Sequence, residues 1–311
     1  MNSASRRFRC IGLGEVLWDL LPDGRQLGGA PANFAYHAHA LGGDGRVISR
    51  VGSDDLGRDI VERLGGLGLS TAGISVDPVA PTGTVTVALD PSGQPAYTIH
   101  AGVAWDFLEA GSEVLLGAAR ADAVCFGTLA QRHPVARESI RRVLQATRAD
   151  ALRIFDINLR QRFWSSEVIL PSLEAANVLK LNDEELPVLV GLLGWTEVDE
   201  ERCVGRLAER FGLRAVALTR GACGSRLWLD GRSVSWPLSG NPVPLPVVDT
   251  VGAGDSYTAA LALGLLSGHP PEEILRIAHR VADFVCTRAG ATPVMPEDFA
   301  RELSRGRTSA P

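Results

Sequence analysis

The residues whose types and spacing most clearly point to chemistry are Asp249-Thr250-Val251-Gly252-Ala253-Gly254-Asp255. Just beyond them, Tyr257, Ala260, Leu261 and Leu265 recur at helical spacing, which predicts a helix starting near Gly252. A helix start presents unpaired backbone N–H groups and a partial positive charge, and glycines let an anion approach them closely. Gly252, Ala253 and Gly254 therefore read as an anion hole, with Asp255 in the first turn facing the anion. A carboxylate is a poor neighbour for a stored anion. It suits an alcohol that loses its proton while attacking phosphorus, so the pattern reads as a phosphoryl-transfer centre with Asp255 as general base. A plainer reading fits the same residues: an Asp complementing the helix dipole beside a tight turn.

The elements that must position this turn follow from the hydrophobic pattern. Short apolar or β-branched runs at 123–126, 153–157, 178–181 and 215–219 alternate with helical patterns such as 135–148 and 198–211. That alternation predicts a mostly parallel sheet covered by helices on both faces, a three-layer α/β body. Two stretches break the rhythm, 15–27 and 82–100, each read as antiparallel, the second around a Pro91-Ser92-Gly93 turn. They predict a small β lid projecting from a body made of 1–14, 28–81 and 101–311. A Pro-rich loop, 237–246, ends the last β region at 226–236 and delivers the chain to Asp249. The polar tail 301–311 is expected to fray.

Composition bounds the function. The chain has 311 residues, 45% apolar and 22% charged, which is ordinary for a folded globular protein. A formal charge of −5 argues against a broad nucleic-acid surface and repels ATP at long range, so any phosphate site must be built locally. Cys10, Cys125, Cys203, Cys223 and Cys286 are scattered, without a C-x-x-C pair, and read as buried free thiols in a reducing compartment. The chain opens on a strand pattern rather than a signal peptide, and its longest apolar helix-like stretch, 259–266, is far too short for a membrane span. A soluble, cytoplasmic protein is expected. Lys180 is the only lysine and carries no functional weight on sequence grounds. Gly12-x-Gly14 lacks the third small residue of a dinucleotide fingerprint, no P-loop or protein-kinase motif is present, and His37 and His39 point to different faces of one helix.

The run 249–255 resembles the C-terminal motif of the ribokinase-like (PfkB) carbohydrate kinases, with Val251 where that family usually carries Thr. Gly28-Gly29-Ala30-Pro31-Ala32-Asn33 resembles the N-terminal Gly-Gly motif of its fructokinase branch. Between them, Asp156-Ile157-Asn158-Leu159-Arg160, Asn182-Asp183-Glu184-Glu185 and Thr219-Arg220-Gly221-Ala222-Cys223-Gly224-Ser225 also match, although Ile157 replaces a proline common in fructokinases. The resemblance spans essentially the whole chain.

It implies a ribokinase-like fold and transfer of the ATP γ-phosphoryl group to a primary sugar hydroxyl, fructose first. Asp255 would be the base and the 252–255 amides the anion hole. Asp19, Gly28, Gly29, Asn33, Asn158 and Arg160 would bind the sugar, with Asp19 accepting from two hydroxyls and Asn33 offering both a donor and an acceptor. Trp105 and Phe107 would either cover the sugar or pack the lid hinge. Asn182, Glu185, Thr219, Gly221 and Gly224 would serve the nucleotide side, with Glu185 organising magnesium through water. Taken alone, Asn182 and Glu185 read as a helix cap. Asp249 would ligate a monovalent cation such as potassium, or else cap a helix. The adenine would lie between 219–224 and 278–289, and two copies would pair through the lid. Other acceptors in the family (2-keto-3-deoxygluconate, ribose, a nucleoside), a non-catalytic sugar-binding regulator of the same fold, and a dinucleotide oxidoreductase are the competing readings.

Overall fold

The computed structural model describes residues 6–21, 24–89, 95–237 and 246–305. Strand β1 (Arg9–Leu13) leads into the hairpin β2 (Leu17–Leu21) and β3 (Gly24–Gly28), followed by α1 (Ala30–Ala40), β4 (Asp44–Gly52), α2 (Asp55–Gly66) and β5 (Ile74–Asp77). A second hairpin, β6 (Thr84–Leu89) and β7 (Pro95–Ile99), and a 3-10 turn at Ala104–Phe107 precede α3 (Ser112–Ala118). Then β8 (Ala123–Phe126), α4 (Pro134–Ala146), β9 (Leu152–Asp156), α5 (Ser166–Ala175), β10 (Val178–Asn182), α6 (Glu185–Leu192), α7 (Glu200–Phe211) and β11 (Ala215–Thr219) follow. The hairpin β12 (Ser225–Leu229) and β13 (Arg232–Trp236) comes next, and α8 (Ala253–Ser267), α9 (Pro271–Cys286) and α10 (Glu297–Ser304) complete the described elements.

Nine strands form one sheet in the order β13-β12-β11-β10-β9-β8-β1-β4-β5, parallel throughout except for the β12–β13 hairpin at its edge. Alternation within each strand sorts the core into two layers. Ile11, Leu13, Val124, Phe126, Phe155, Leu179, Val216 and Leu218 face α3 to α7. Cys10, Ala123, Cys125, Ile154, Val178 and Ala217 face α1, α8, α9 and α10. Helix α8 is apolar on nearly every side because the sheet, α1 and α9 enclose it. The ribokinase-like α/β architecture expected from the sequence is the one observed.

The two stretches read as a lid form a separate four-stranded sheet, β3-β2-β6-β7. Each is an antiparallel hairpin, and β2 and β6 join them in parallel register. The Pro91-Ser92-Gly93 turn and most of the loop 237–246 lie outside the described residues. Among the described residues no helix is long and apolar enough to cross a membrane.

Two expectations are corrected. Residues 301–304 of the tail do not fray but lie in α10, because Phe299 and Leu303, one helical turn apart, bury themselves against α8 and α9. The cysteines are all free, but only Cys10, Cys125 and Cys203 are buried; Cys223 is exposed on the turn after β11, and Cys286 is partly buried at the end of α9.

The Gly12-x-Gly14 pattern has a packing cause. A Cβ on Gly12 would lie 1.8 Å from the Pro31 carbonyl oxygen, so only glycine lets the first turn of α1 settle on β1. Gly12→Ala is expected to destabilise the protein by roughly 3 kcal/mol, the upper range for overpacking, visible as a lowered denaturation midpoint in urea.

Candidate active site

The parallel strands all end on one side of the sheet, where open α/β sheets place their ligands, and there Glu15 after β1 and Asn158 after β9 lie near Asp255 at the start of α8. Gly252, the residue before α8, has φ of 81°, and a Cβ there would lie 2.6 Å from the Ala291 carbonyl oxygen. The turn therefore needs glycine on both conformational and steric grounds. Ala253 donates its amide to Thr250 O at 3.2 Å. The first-turn amides of Gly254 and Asp255 have no acceptor within the helix.

The turn is braced from outside. Asp249 accepts from the amides of Val251 and Gly290, both at 3.0 Å, stapling the approach to α8 onto the segment after α9. His37 Nε2 lies 2.8 Å from Ala291 O, and Tyr36 donates its hydroxyl to Pro293 O at 2.7 Å, so α1 holds that segment from the other side. Burial lowers the His37 pKa to about 4 and keeps the ring neutral near pH 7.

Asp255 Oδ2 accepts from Asn33 Nδ2 at 2.8 Å. Burial, helped by the nearby Asp156 charge, pushes its pKa up to about 6, against the pull of the Asn33 hydrogen bond, Lys180 and Arg160. Asp19 on β2 is also raised to about 6 by burial, opposed by Arg160. Glu15, 4% exposed in the β1–β2 connection, reaches about 7, chiefly through burial with Asp255 as a further like charge. The exposed Arg160 guanidinium acts on all three carboxylates and Asn33 bonds Asp255, so Glu15, Asp19, Asn33, Arg160 and Asp255 lie around one site.

The two glycines at the end of β3 leave room for the chain itself. A Cβ on Gly28 would lie 2.4 Å from Asp19 Oδ2, and one on Gly29, whose φ is 108°, would lie 2.5 Å from Glu15 O. They permit the carboxylate-bearing β1–β2 segment to pass close to α1. Asn158, at a left-handed φ of 45°, lines a small cavity with Asp156, Asp255 and Thr258.

Asn182 and Glu185 form a reciprocal capping box: Glu185 N donates to Asn182 Oδ1 and Asn182 N to Glu185 Oε2, each at 2.8 Å. Glu185 Oε1 also accepts from Leu159 N at 2.9 Å, which ties the loop after β9 to α6. Burial raises the Glu185 carboxyl, and Lys180 opposes that shift. Thr219 ends β11, donates its hydroxyl to Leu181 O and accepts from Asp183 N; Gly221 and Gly224 flank the short turn that follows. Thr219, Gly221 and Gly224, at the end of β11, are separated from β9 by β10, whereas Asn182 ends β10 and Glu185 reaches the loop after β9. Ala278, in the segment expected to flank the adenine, lies in the core. Trp105 is 1% exposed, with the Arg132 guanidinium 4.0 Å from its ring centroid, and the hinge-packing alternative is the one this burial fits.

Residues 24–298 match the profile described as pfkB family carbohydrate kinase. The chain belongs to the pfkB family of carbohydrate kinases. The enzyme class expected from the sequence, an ATP-dependent carbohydrate kinase, is the one this family carries. A fructokinase of Klebsiella pneumoniae is 31% identical over 311 residues, 94% of this chain and 98% of its own. A putative sugar kinase of Pyrococcus horikoshii is 31% identical over 324 residues, 95% of each chain. A crystal structure of a Pyrococcus horikoshii sugar kinase superposes with a TM-score of 0.78 at 26% identity, covering 95% of this chain and 99% of that one. The ATP-bound fructokinase of Xylella fastidiosa shares the fold at a TM-score of 0.80 and 22% identity, over 97% of this chain and 99% of its own.

Sequence reasoning missed four residues at this pfkB site: Glu15, His37, Asp156 as a charged group, and Lys180. Lys180 Nζ lies 3.1 Å from Asp156 Oδ1, with both side chains buried. A signal was available. A lysine within the apolar run 178–181 of a parallel strand must be paired if that strand is internal.

Glu15 gives a pH prediction. Its folded pKa of about 7 lies above the ordinary 4.5, so it favours the fold fully below 4.5 and loses that contribution as pH rises through 7. Glu15→Gln is expected to raise the melting temperature by a few degrees at about pH 8 and to leave it unchanged near pH 4; thermal melts at the two pH values check this.

Proposed function

We propose that this chain transfers the γ-phosphoryl group of ATP to a primary hydroxyl of a sugar, with fructose as first acceptor. The observation that carries the reading is Asp255, held by Asn33 in the first turn of α8 beside the free amides of Gly254 and Asp255, within electrostatic reach of Arg160. In this assignment the sugar lies between Asp19 and Asp255, its hydroxyls accepted by the Asp19 carboxylate and its reacting oxygen next to Asp255. Asp255 takes the proton as that oxygen attacks phosphorus, and the α8 amides with the helix dipole stabilise charge developing on the transferred group. Lid closure over the sugar would exclude water and suppress ATP hydrolysis. Fructose is favoured by the Ala30-Pro31-Ala32-Asn33 wording and by the Klebsiella pneumoniae fructokinase among the relatives.

Among the described residues no three His, Cys, Asp or Glu side chains converge as a metal cage. Magnesium arriving on a triphosphate needs none, since it retains phosphate and water ligands. We assign it Glu185 as its protein carboxylate, through water, despite the backbone bonds both oxygens make. Held there with ATP, the ion would supply neutralisation of charge on the phosphates. Asp249 is assigned to a monovalent cation such as potassium, which would stiffen the turn that Asp249 already staples. Two copies pairing through the lid remain part of the proposal, because β3 and β7 end its sheet; sedimentation of the purified protein decides it.

Asp255→Asn should lower kcat by about 10² to 10⁴, the range for loss of a general base. Unchanged turnover removes Asp255 from the mechanism. ADP release measured over a panel of sugars and nucleosides, with and without magnesium and potassium, should be fastest with fructose. A faster acceptor replaces fructose while keeping the reaction. Sugar binding without ADP release from any acceptor supports the regulator, and a preference for NAD over ATP overturns the kinase reading.

A further inference from the structure

Lys180 occupies a position that neither the fold nor the proposed base explains. It stands opposite Asp156 in the parallel β9–β10 register, and both side chains point to the α8 face of the sheet. Asp156 divides its oxygens: Oδ1 takes Lys180 Nζ at 3.1 Å, and Oδ2 lies 3.0 Å from Thr258 Oγ1 on the second turn of α8. A methyl placed on Gly254 would sit 3.3 Å from Lys180 Nζ, so the ammonium lies directly beneath the first turn of that helix. A cation at a helix N-terminus is opposed by the helix dipole, and a buried ammonium is costly to desolvate. Simple packing gives no reason to put one there.

We infer that Lys180 is a positioning residue of the transfer centre: clamped by Asp156 under the first turn of α8, its ammonium keeps Asp255 a carboxylate able to accept a proton. This rests on Asp255 being the base, as proposed above. The groups facing Asp255 are Asp156 from β9, Lys180 from β10, Arg160 from the loop after β9, Asn33 from α1, Glu15 from the β1–β2 connection and the Cys125 thiol from β8. Glu185 faces Lys180 from the start of α6. Among these, Lys180 is the buried cation; Arg160 is exposed and screened by water. Burial pulls the Lys180 pKa down, but Asp156, Glu185 and Asp255 outweigh it and raise the ammonium above its ordinary value, so it stays charged wherever Asp255 titrates.

Lys180→Met should move the acid limb of the kcat/KM–pH profile up by about one pH unit, the effect of removing a nearby opposite charge, with activity recovering at alkaline pH. Thermal melts accompany the profile, since losing one partner of a buried pair also weakens the fold. A uniform loss with an unmoved acid limb overturns the inference. Where that variant does not fold, the wild type supplies the test: Lys180 is the only lysine, so ε-13C-lysine labelling gives one side-chain resonance. That resonance should shift as Asp255 titrates near 6, and the step should vanish in Asp255→Asn. A flat resonance, or an identical step in both proteins, overturns the inference. Full turnover in Asp255→Asn removes the base itself, whereas lost turnover without coupling to Lys180 removes this inference alone.

Discussion

The buried contact between Lys180 and Asp156 lets an apolar helix begin over charged strand ends. Helix α8 is enclosed by the sheet, α1 and α9, and its first turn must nevertheless expose amides toward a ligand. Asp156 meets both demands, because one oxygen neutralises Lys180 and the other reaches Thr258 in α8. Removing either charge strands the other in a low-dielectric layer, which is why such pairs contribute mainly through the penalty of breaking them. The turn at Gly252, the staple from Asp249 to Gly290 and the bracing by His37 and Tyr36 then hold the first turn at one height above the strands.

The same site holds carboxylates that would be more stable elsewhere. Asp19, Asp255 and Glu15 are all raised, burial being the leading cause for each, so all of them favour the fold less as pH rises toward neutrality. That cost resembles the preorganisation of catalytic groups, in which a base is held with a pKa near the operating pH. Arg160 relieves all three from the exposed side. Asn33 relieves Asp255 with a hydrogen bond, and the bond also reports the assembly of the site, since it joins α1 to α8 across most of the chain length.

Much of this was legible in one dimension. The strands at 123–126 and 215–219 fall where their apolar runs lie, because internal parallel strands must be apolar on both faces. The start of α8 was readable from Gly252 and the helical spacing beyond it, since caps and periodicity are local signals. Asn182 and Glu185 were readable as a cap for the same reason, and the reciprocal bonds bear that out. The tail was misread from residue 301 because its polarity is local, whereas burial of Phe299 and Leu303 against α8 and α9 is not.

By itself, then, the sequence determined the architecture, the family and the candidate base, since these depend on periodicity, turn chemistry and motif order. Only the tertiary structure decided which charges share the site. Glu15 comes from the β1–β2 connection, Asp156 and Lys180 from neighbouring strands, Asn33 from α1 and Asp255 from α8, and no spacing along the chain relates them. Register and burial do: pairing β9 with β10 places Asp156 opposite Lys180, and enclosing them under α8 removes the water that would otherwise screen them. A lone lysine without evident purpose in the sequence becomes the buried cation beneath the proposed base.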